Sequence, residues 1–137
     1  MTDTRTADRL AIHELLCRYS WALADRDFVA WQACFTDNGH ADYTTAGGIA
    51  GTPAEAAAWI EPNLAMFDVS ISQNSNVVID FAGDDTAKVR SLYKMVMRIP
   101  GDTPTYMEAC GYYRDTLART ATGWLIADRF EHLLYIR

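Results

Sequence analysis

The chain has 137 residues, half of them hydrophobic, with 12 Lys plus Arg against 18 Asp plus Glu and a net charge of −6. That length suits one domain with a sizeable core, spanning residues 1–137, and the composition is too apolar for a disordered chain. The acidic balance argues against a nucleic-acid partner, which needs a basic footprint, and no apolar run approaches the ~20 residues of a membrane span.

The N-terminal stretch MTDTRTADR lacks the apolar segment of a secretory leader. The three cysteines, Cys17, Cys34 and Cys110, are odd in number and lack metal-ligand spacing. Together these predict a cytoplasmic protein with reduced thiols and no metal site. A helix follows, with Thr6 or Asp8 as its cap and Ile12, Leu15, Leu16, Tyr19 and Leu23 forming one apolar stripe. Tyr19 carries the only hydroxyl of that stripe, either a core aromatic or a pocket residue. After the break at Asp25-Arg26-Asp27, Asp27 can cap a second helix through Phe28, Trp31 and Phe35. Asp37-Asn38-Gly39 reads as a turn, His40–Thr45 as a short strand, and Gly47-Gly48 as a turn into a second short strand or loop.

Thr52-Pro53-Ala54-Glu55 is the clearest local signal, a capping box with Pro at the first helical position. It starts a helix through Trp59 and Ile60 that Pro62 ends or kinks. A strand over about 70–81 closes at Ala82-Gly83-Asp84-Asp85. Three long strands complete the chain, about Thr86–Ile99, Thr105–Thr120 and Trp124–Ile136. Such long strands twist and coil, so the prediction is an α+β fold in which a strongly curved antiparallel sheet is covered on its concave face by helices. A covered concave sheet encloses a pocket.

Strand phase selects the residues that face it. In 86–99, Lys88, Arg90, Lys94 and Arg98 share one face and Val89, Ser91, Tyr93, Met95, Met97 and Ile99 the other, which is assigned inward. Ala121-Thr122-Gly123 suits a three-residue loop pairing Thr120 with Trp124, which sets Asp115 opposite Arg129. That register places Cys110, Tyr112, Trp124, Ile126, Phe130, His132 and Leu134 on one face. The charged set Asp115, Arg119, Arg129 and Glu131 shares the other, so the first set is taken as the interior. The expected pocket is apolar with Tyr19, Tyr93, Tyr112 and His132 as its polar groups, the usual form of a small-molecule site. His132 is either the general base or a satisfied core residue. On the opposite sheet face, Leu92, Val96, Leu117, Leu125, Leu133 and Tyr135 form an apolar patch that predicts a homodimer through the sheet.

No dinucleotide fingerprint, Walker loop or nucleophile elbow is present, and His40 with Asp42 has no third ligand. The pattern Asp8, Ile12, Tyr19, Asp27, Phe35, Asp37, Asp42, Asn76, Gly111-x-Tyr113-x-Asp115, Gly123-Trp124 and Arg129 resembles the SnoaL-like group of the NTF2-like superfamily, which includes scytalone dehydratase, bile-acid dehydratases and polyketide cyclases. The resemblance implies a cone-shaped, cystatin-like α+β barrel with a deep pocket, commonly dimeric. Tyr19-Ser20-Trp21-Ala22 resembles a Tyr-x-Trp-Ala stretch of scytalone dehydratase, and Asp42-Tyr43 its Asp-Tyr, whose tyrosine polarises the substrate carbonyl. The catalytic Asp of that group falls on Ala24 and its histidines on Ser72 (or Asn74) and near Met97. The His–Asp machinery is therefore largely replaced.

The resulting expectation is a cofactor-independent acid–base lyase, isomerase or cyclase acting on a hydrophobic, polycyclic or polyketide-like small molecule. His132, Tyr43 and Tyr93 are the catalytic candidates. Tyr19, Tyr112, Met95, Met97, Ser72 and Asn74 are the substrate-binding candidates. The alternative is a non-catalytic binding or assembly module of the same fold.

Overall fold

The computed structural model describes residues 5–137; the first four residues, part of the stretch read as lacking a leader, lie outside it. Helix α1 (Thr6–Asp25) buries Ile12, Leu15, Leu16, Tyr19 and Leu23, the stripe read from the sequence. Neither Thr6 nor Asp8 caps it. Arg5 is the N-cap residue, and the Asp8 carboxylate instead accepts from Arg119 at 2.9 and 2.8 Å, from the Trp124 indole at 3.0 Å and from Arg5 at 2.9 Å. This ties the start of the helix to the last hairpin. Arg26, in the left-handed conformation, ends α1. The Asp27 side chain caps α2 (Phe28–Gln32), which stops before Phe35.

Strand β1 (Phe35–Asp42) takes in the Asp37-Asn38-Gly39 segment expected to be a turn, as an irregularity between its paired ends. A single 3₁₀ turn over 44–46 leads to the two-residue strand β2 (Ala50–Gly51). Helix α3 (Pro53–Leu64) opens on the expected capping box, Glu55 N–H donating to the Thr52 hydroxyl. Pro62 sits inside its last turn, two residues before the helix ends. Strands β3 (Val69–Phe81), β4 (Thr86–Ile99), β5 (Thr105–Thr120) and β6 (Gly123–Ile136) follow.

The six strands form one curved, unclosed sheet in the order β2-β1-β6-β5-β4-β3. Every pairing is antiparallel except β1 with β6, an exception to the all-antiparallel expectation. It arises because β1 reaches the far edge of the meander from the helical side. Helix α1 packs against β3 and β6, and α3 against β1, β2 and α2. No helix among the described residues is long and apolar enough to cross a membrane.

The phase of β4 agrees with the sequence reading over most of its length: Val89, Ser91, Tyr93 and Met97 are buried and Lys88, Arg90 and Lys94 exposed, while Ile99, expected inward, is exposed at the strand's end. The phase of β5 and most of β6 is the reverse of that reading. Asp115 does face Arg129, but the loop has two residues, with Thr120 opposite Gly123. An extra residue at Ala127, between the pairs Leu117–Ile126 and Thr116–Asp128, restores the register. This β-bulge lets Trp124 and Ile126 point inward as expected and then brings Arg129 and Glu131 inward too. Tyr113, Asp115 and Leu117 are buried with them, whereas Tyr112 and His132 pair with each other on the outer face. Of the apolar patch expected outside, Leu117 is buried in the core, Val96, Leu125 and Leu133 are half-buried, and Leu92 and Tyr135 stay exposed.

Candidate active site

Between the concave sheet and α3 lies a cavity of about 270 Å³. Its walls are apolar: Met95 and Met97 from β4, Met107 from β5, and Trp59, Ile60 and Leu64 from α3. The polar groups at its surface are few. They belong to Tyr19, Tyr43, Tyr93, Tyr113, Asn63 and Glu131.

Each is placed by local structure. Tyr43 follows the end of β1, where its backbone carbonyl accepts from Gly48 and its N–H donates to Ile49. Gly48 must be small, since a Cβ there would stand 2.9 Å from Tyr43. Tyr19 comes from the buried stripe of α1, and its hydroxyl lies 2.7 Å from that of Tyr43. A single hydrogen bond between two hydroxyls uses one of their two protons, so the pair keeps one to offer. Burial pushes both pKa values up from the ordinary tyrosine value, so both groups stay neutral donors. Tyr93 stacks on Tyr113 with ring centroids 4.7 Å apart. It lies over Gly111, where a Cβ would come within 2.8 Å of the Tyr93 ring and hydroxyl. The Tyr93 hydroxyl is buried beside Glu131 with no regular hydrogen-bond partner.

Glu131 is 6% exposed. Burial raises its pKa to about 7, opposed by the nearby Arg129 charge and by Tyr93. Arg129, whose charge holds that rise back, forms no salt bridge with Glu131, although its Nη1 has no hydrogen-bond partner of its own. It is fully buried in a two-pronged pair with Asp115, at 2.8 and 2.7 Å, and its guanidinium lies between the rings of Tyr19 (4.2 Å) and Tyr113 (3.7 Å). Burial works against the Arg129 charge, but Asp115 outweighs it and holds its pKa well above the ordinary value. The outcome is a carboxyl poised near neutral pH in an apolar chamber, facing neutral phenols. Such an arrangement suits the abstraction and return of a proton beside a polarised carbonyl.

The structure brings Tyr19, Tyr43, Tyr93, Met95 and Met97 to this cavity. It does not bring Ser72, Asn74, Tyr112 or His132. Asn74 donates to the Ser91 hydroxyl and the Leu92 carbonyl, and Ser72 lies on the same outer strand, β3. His132 stacks on Tyr112 on the other side of the sheet, centroids 4.7 Å apart, and Arg90 and Arg114 lie over the Tyr112 ring. A role for His132 as base required the inward phase that the Ala127 bulge reverses. Glu131 was missed because a charged residue sharing a face with Asp115 and Arg129 reads as solvent-facing. The available signal was Leu117, which stands two residues from Asp115 and so shares its face. Among the described residues, no group of three or more His, Cys, Asp or Glu is arranged to hold a metal ion.

The profile of the SnoaL-like domain matches residues 4–129. The chain belongs to the SnoaL-like family. Uncharacterized proteins of Mycobacterium tuberculosis and Mycobacterium bovis are 33% identical over 125 residues, covering 91% of this chain and 84% of theirs. Among solved structures, a scytalone dehydratase candidate from Novosphingobium aromaticivorans superposes with a TM-score of 0.87 at 24% identity, over 100% of this SnoaL-like chain and 91% of its own. A hexachlorocyclohexane dehydrochlorinase, LinA type 2, gives 0.82 at 16% identity, over 97% and 89%. A protein with a cystatin-like fold from Nostoc punctiforme gives 0.76 at 20% identity, over 96% and 95%. These likenesses establish the NTF2-like, cystatin-like architecture.

Proposed function

We propose that this SnoaL-like protein is a cofactor-independent lyase or isomerase that moves a proton next to a carbonyl of a hydrophobic small molecule, with Glu131 as the base. The observation that carries this reading is Glu131 itself, buried in the cavity with its pKa raised to about 7. A carboxyl with that pKa is half ionised near neutral pH, where a general base is most effective, and a positioned base contributes roughly 10²–10⁴-fold. The Tyr19–Tyr43 pair supplies the complementary function. Its unspent proton hydrogen-bonds the substrate carbonyl, and the developing enolate oxygen strengthens that bond. Tyr93, beside Glu131, steadies the carboxylate and reorients as the proton leaves and returns. Two structural neighbours bear the names of eliminating enzymes, a dehydratase and a dehydrochlorinase, which accords with proton abstraction as the first step.

The competing reading, a binding-only module, draws on Ala24 and Ser72 standing where the resembled dehydratases carry their Asp and His. One experiment decides between them. Small cyclic ketones are incubated with the protein in D₂O and exchange of their α-protons is followed by NMR. Exchange above the buffer rate that rises with pH through about 7, and is lost in Glu131→Gln, is the expected result. A ketone that saturates the wild type without exchanging excludes the enzymatic reading for that class.

A further inference from the structure

The cavity also carries information about the charge and size of what enters it. Its lining includes no Lys, Arg or His, and among the described residues its one carboxyl, Glu131, forms no salt bridge. The cation whose charge reaches it, Arg129, lies outside the lining, pairs through Nε and Nη2 with Asp115 and is covered by two tyrosine rings, with only Nη1 left unpartnered. A ligand bearing a carboxylate, a phosphate or a nucleotide-type handle would bury its charge unpaired, opposite a group of the same sign. Such burial is strongly unfavourable. The Tyr19–Tyr43 pair, in contrast, holds one proton that needs an acceptor. A carbonyl oxygen satisfies it, and an ammonium group, which has no lone pair, does not.

Size is equally restrictive. Pockets for drug-sized ligands span about 300–1,000 Å³, and this cavity, at about 270 Å³, lies at the lower edge of that range. Met66, Met95, Met97 and Met107 line it, unbranched and polarizable side chains that adapt to the outline of a ring. From these observations we infer that the ligand is an uncharged carbonyl compound of one or two rings, recognised at a single polar end and carrying no anionic handle. This rests on the proton-transfer reading only in its choice of the carbonyl. The exclusion of anions and of large polycycles stands on the cavity alone. It also narrows the polycyclic or polyketide-like substrate expected from sequence to compact ring systems.

A matched set of probes tests it: 2-indanone, indane-2-carboxylate, 2-aminoindane and a four-ring steroid ketone, titrated calorimetrically at pH 8. The expected result is binding of 2-indanone at least about tenfold tighter than indane-2-carboxylate, a difference of about 1.4 kcal/mol, with no saturable binding of the steroid. In Glu131→Gln the gap between indanone and carboxylate should shrink. Equal binding of the carboxylate, tighter binding of the amine, or a gap unchanged in Glu131→Gln overturns the charge assignment. Saturable binding of the four-ring ketone overturns the size assignment. The two proposals fail separately: a four-ring ketone that binds and exchanges its α-protons refutes this inference and leaves the base in place. If 2-indanone binds as expected without exchanging, the base is refuted and the ligand class stands.

Discussion

The Thr45 hydroxyl donates to the main-chain carbonyl of Glu131 at 2.7 Å and accepts from the Leu133 N–H at 3.0 Å. One side chain of the 3₁₀ turn thus brackets the residue proposed as base, next to the second irregularity of β6, where the pairing shifts between Cys110 and Gly111. Thr45→Val removes both bonds. Because Thr45 is exposed, water can replace them, and the stability cost should stay near about 1 kcal/mol. The carboxyl, however, loses its fixed backbone. The expected outcome is slower ketone α-exchange with unchanged ketone affinity, restored by Thr45→Ser. A loss of affinity equal to the loss of rate would show that Thr45 acts on the pocket as a whole.

Gly111 is required by its neighbours rather than by its own dihedral angles. A Cβ at this position would meet the His132 carbonyl oxygen at 2.2 Å and the Tyr93 ring at 2.8 Å. Gly111→Ala should therefore destabilise the protein by about 1–3 kcal/mol or more and displace Tyr93 into the cavity. Urea denaturation gives the first quantity and loss of ligand binding the second. A variant of wild-type stability would mean that β5 and β6 separate there at little cost.

The Asp115–Arg129 pair predicts an asymmetric response. Removing one partner leaves a charge buried and unpaired, so Asp115→Asn or Arg129→Met alone should cost about 3–5 kcal/mol. Replacing both, as Asp115→Leu with Arg129→Met, should recover much of that loss, because the desolvation of two ions disappears with them. The check is the denaturant midpoint of the four proteins at constant m. Losses that simply add in the double variant would show that the two charges act independently, with no energetic coupling across the pair.

Glu131 should leave a pH signature in stability as well as in rate. Its folded pKa, about 7, lies above the ordinary 4.5, so the folded state binds the proton more tightly than the unfolded chain. The contribution is fully present below about pH 4.5 and is lost as pH rises to about 7, by roughly 3 kcal/mol at most. Wild type should therefore lose stability relative to Glu131→Gln across that window, and thermal denaturation from pH 4.5 to 8 reads it directly. A relative stability that rises with pH would mean that Glu131 is paired and ionised in the folded state.

The parts of this fold that were legible in sequence are those where one local pattern has one physical solution. Thr52 to Glu55 can be little else than a capped helix start, and the alternation of Lys88, Arg90 and Lys94 with Val89, Ser91 and Tyr93 allows one orientation of β4. The opposition of Asp115 to Arg129 was legible for the same reason, since complementary charges favour a register whichever way the strands face. The direction they face was not. Assigning charged residues outward is sound when each charge must be solvated by water, and it fails when two charges solvate each other between tyrosine rings. The site followed the same division. Tyr43 was found through its resemblance and Tyr93 through its phase, whereas Glu131 depended on a bulge at Ala127 that no local residue preference announces.

That bulge makes chain length a determinant of chemistry. Side chains alternate across a sheet with a period of two, so shifting a strand by one residue exchanges its faces. Deleting Ala127 would close the ladder without turning anything over, because Leu117–Ile126 and Thr116–Asp128 are already in step on either side of it. Inserting one residue between Asp128 and Glu131 would do the opposite, retracting the carboxylate and presenting the His132 imidazole to the same chamber. Two adjacent positions on β6 thus hold an acid and an imidazole in reserve on opposite faces. A single codon gained between Asp128 and Glu131 is a route by which descendants of one scaffold could exchange one proton acceptor for another without altering either residue.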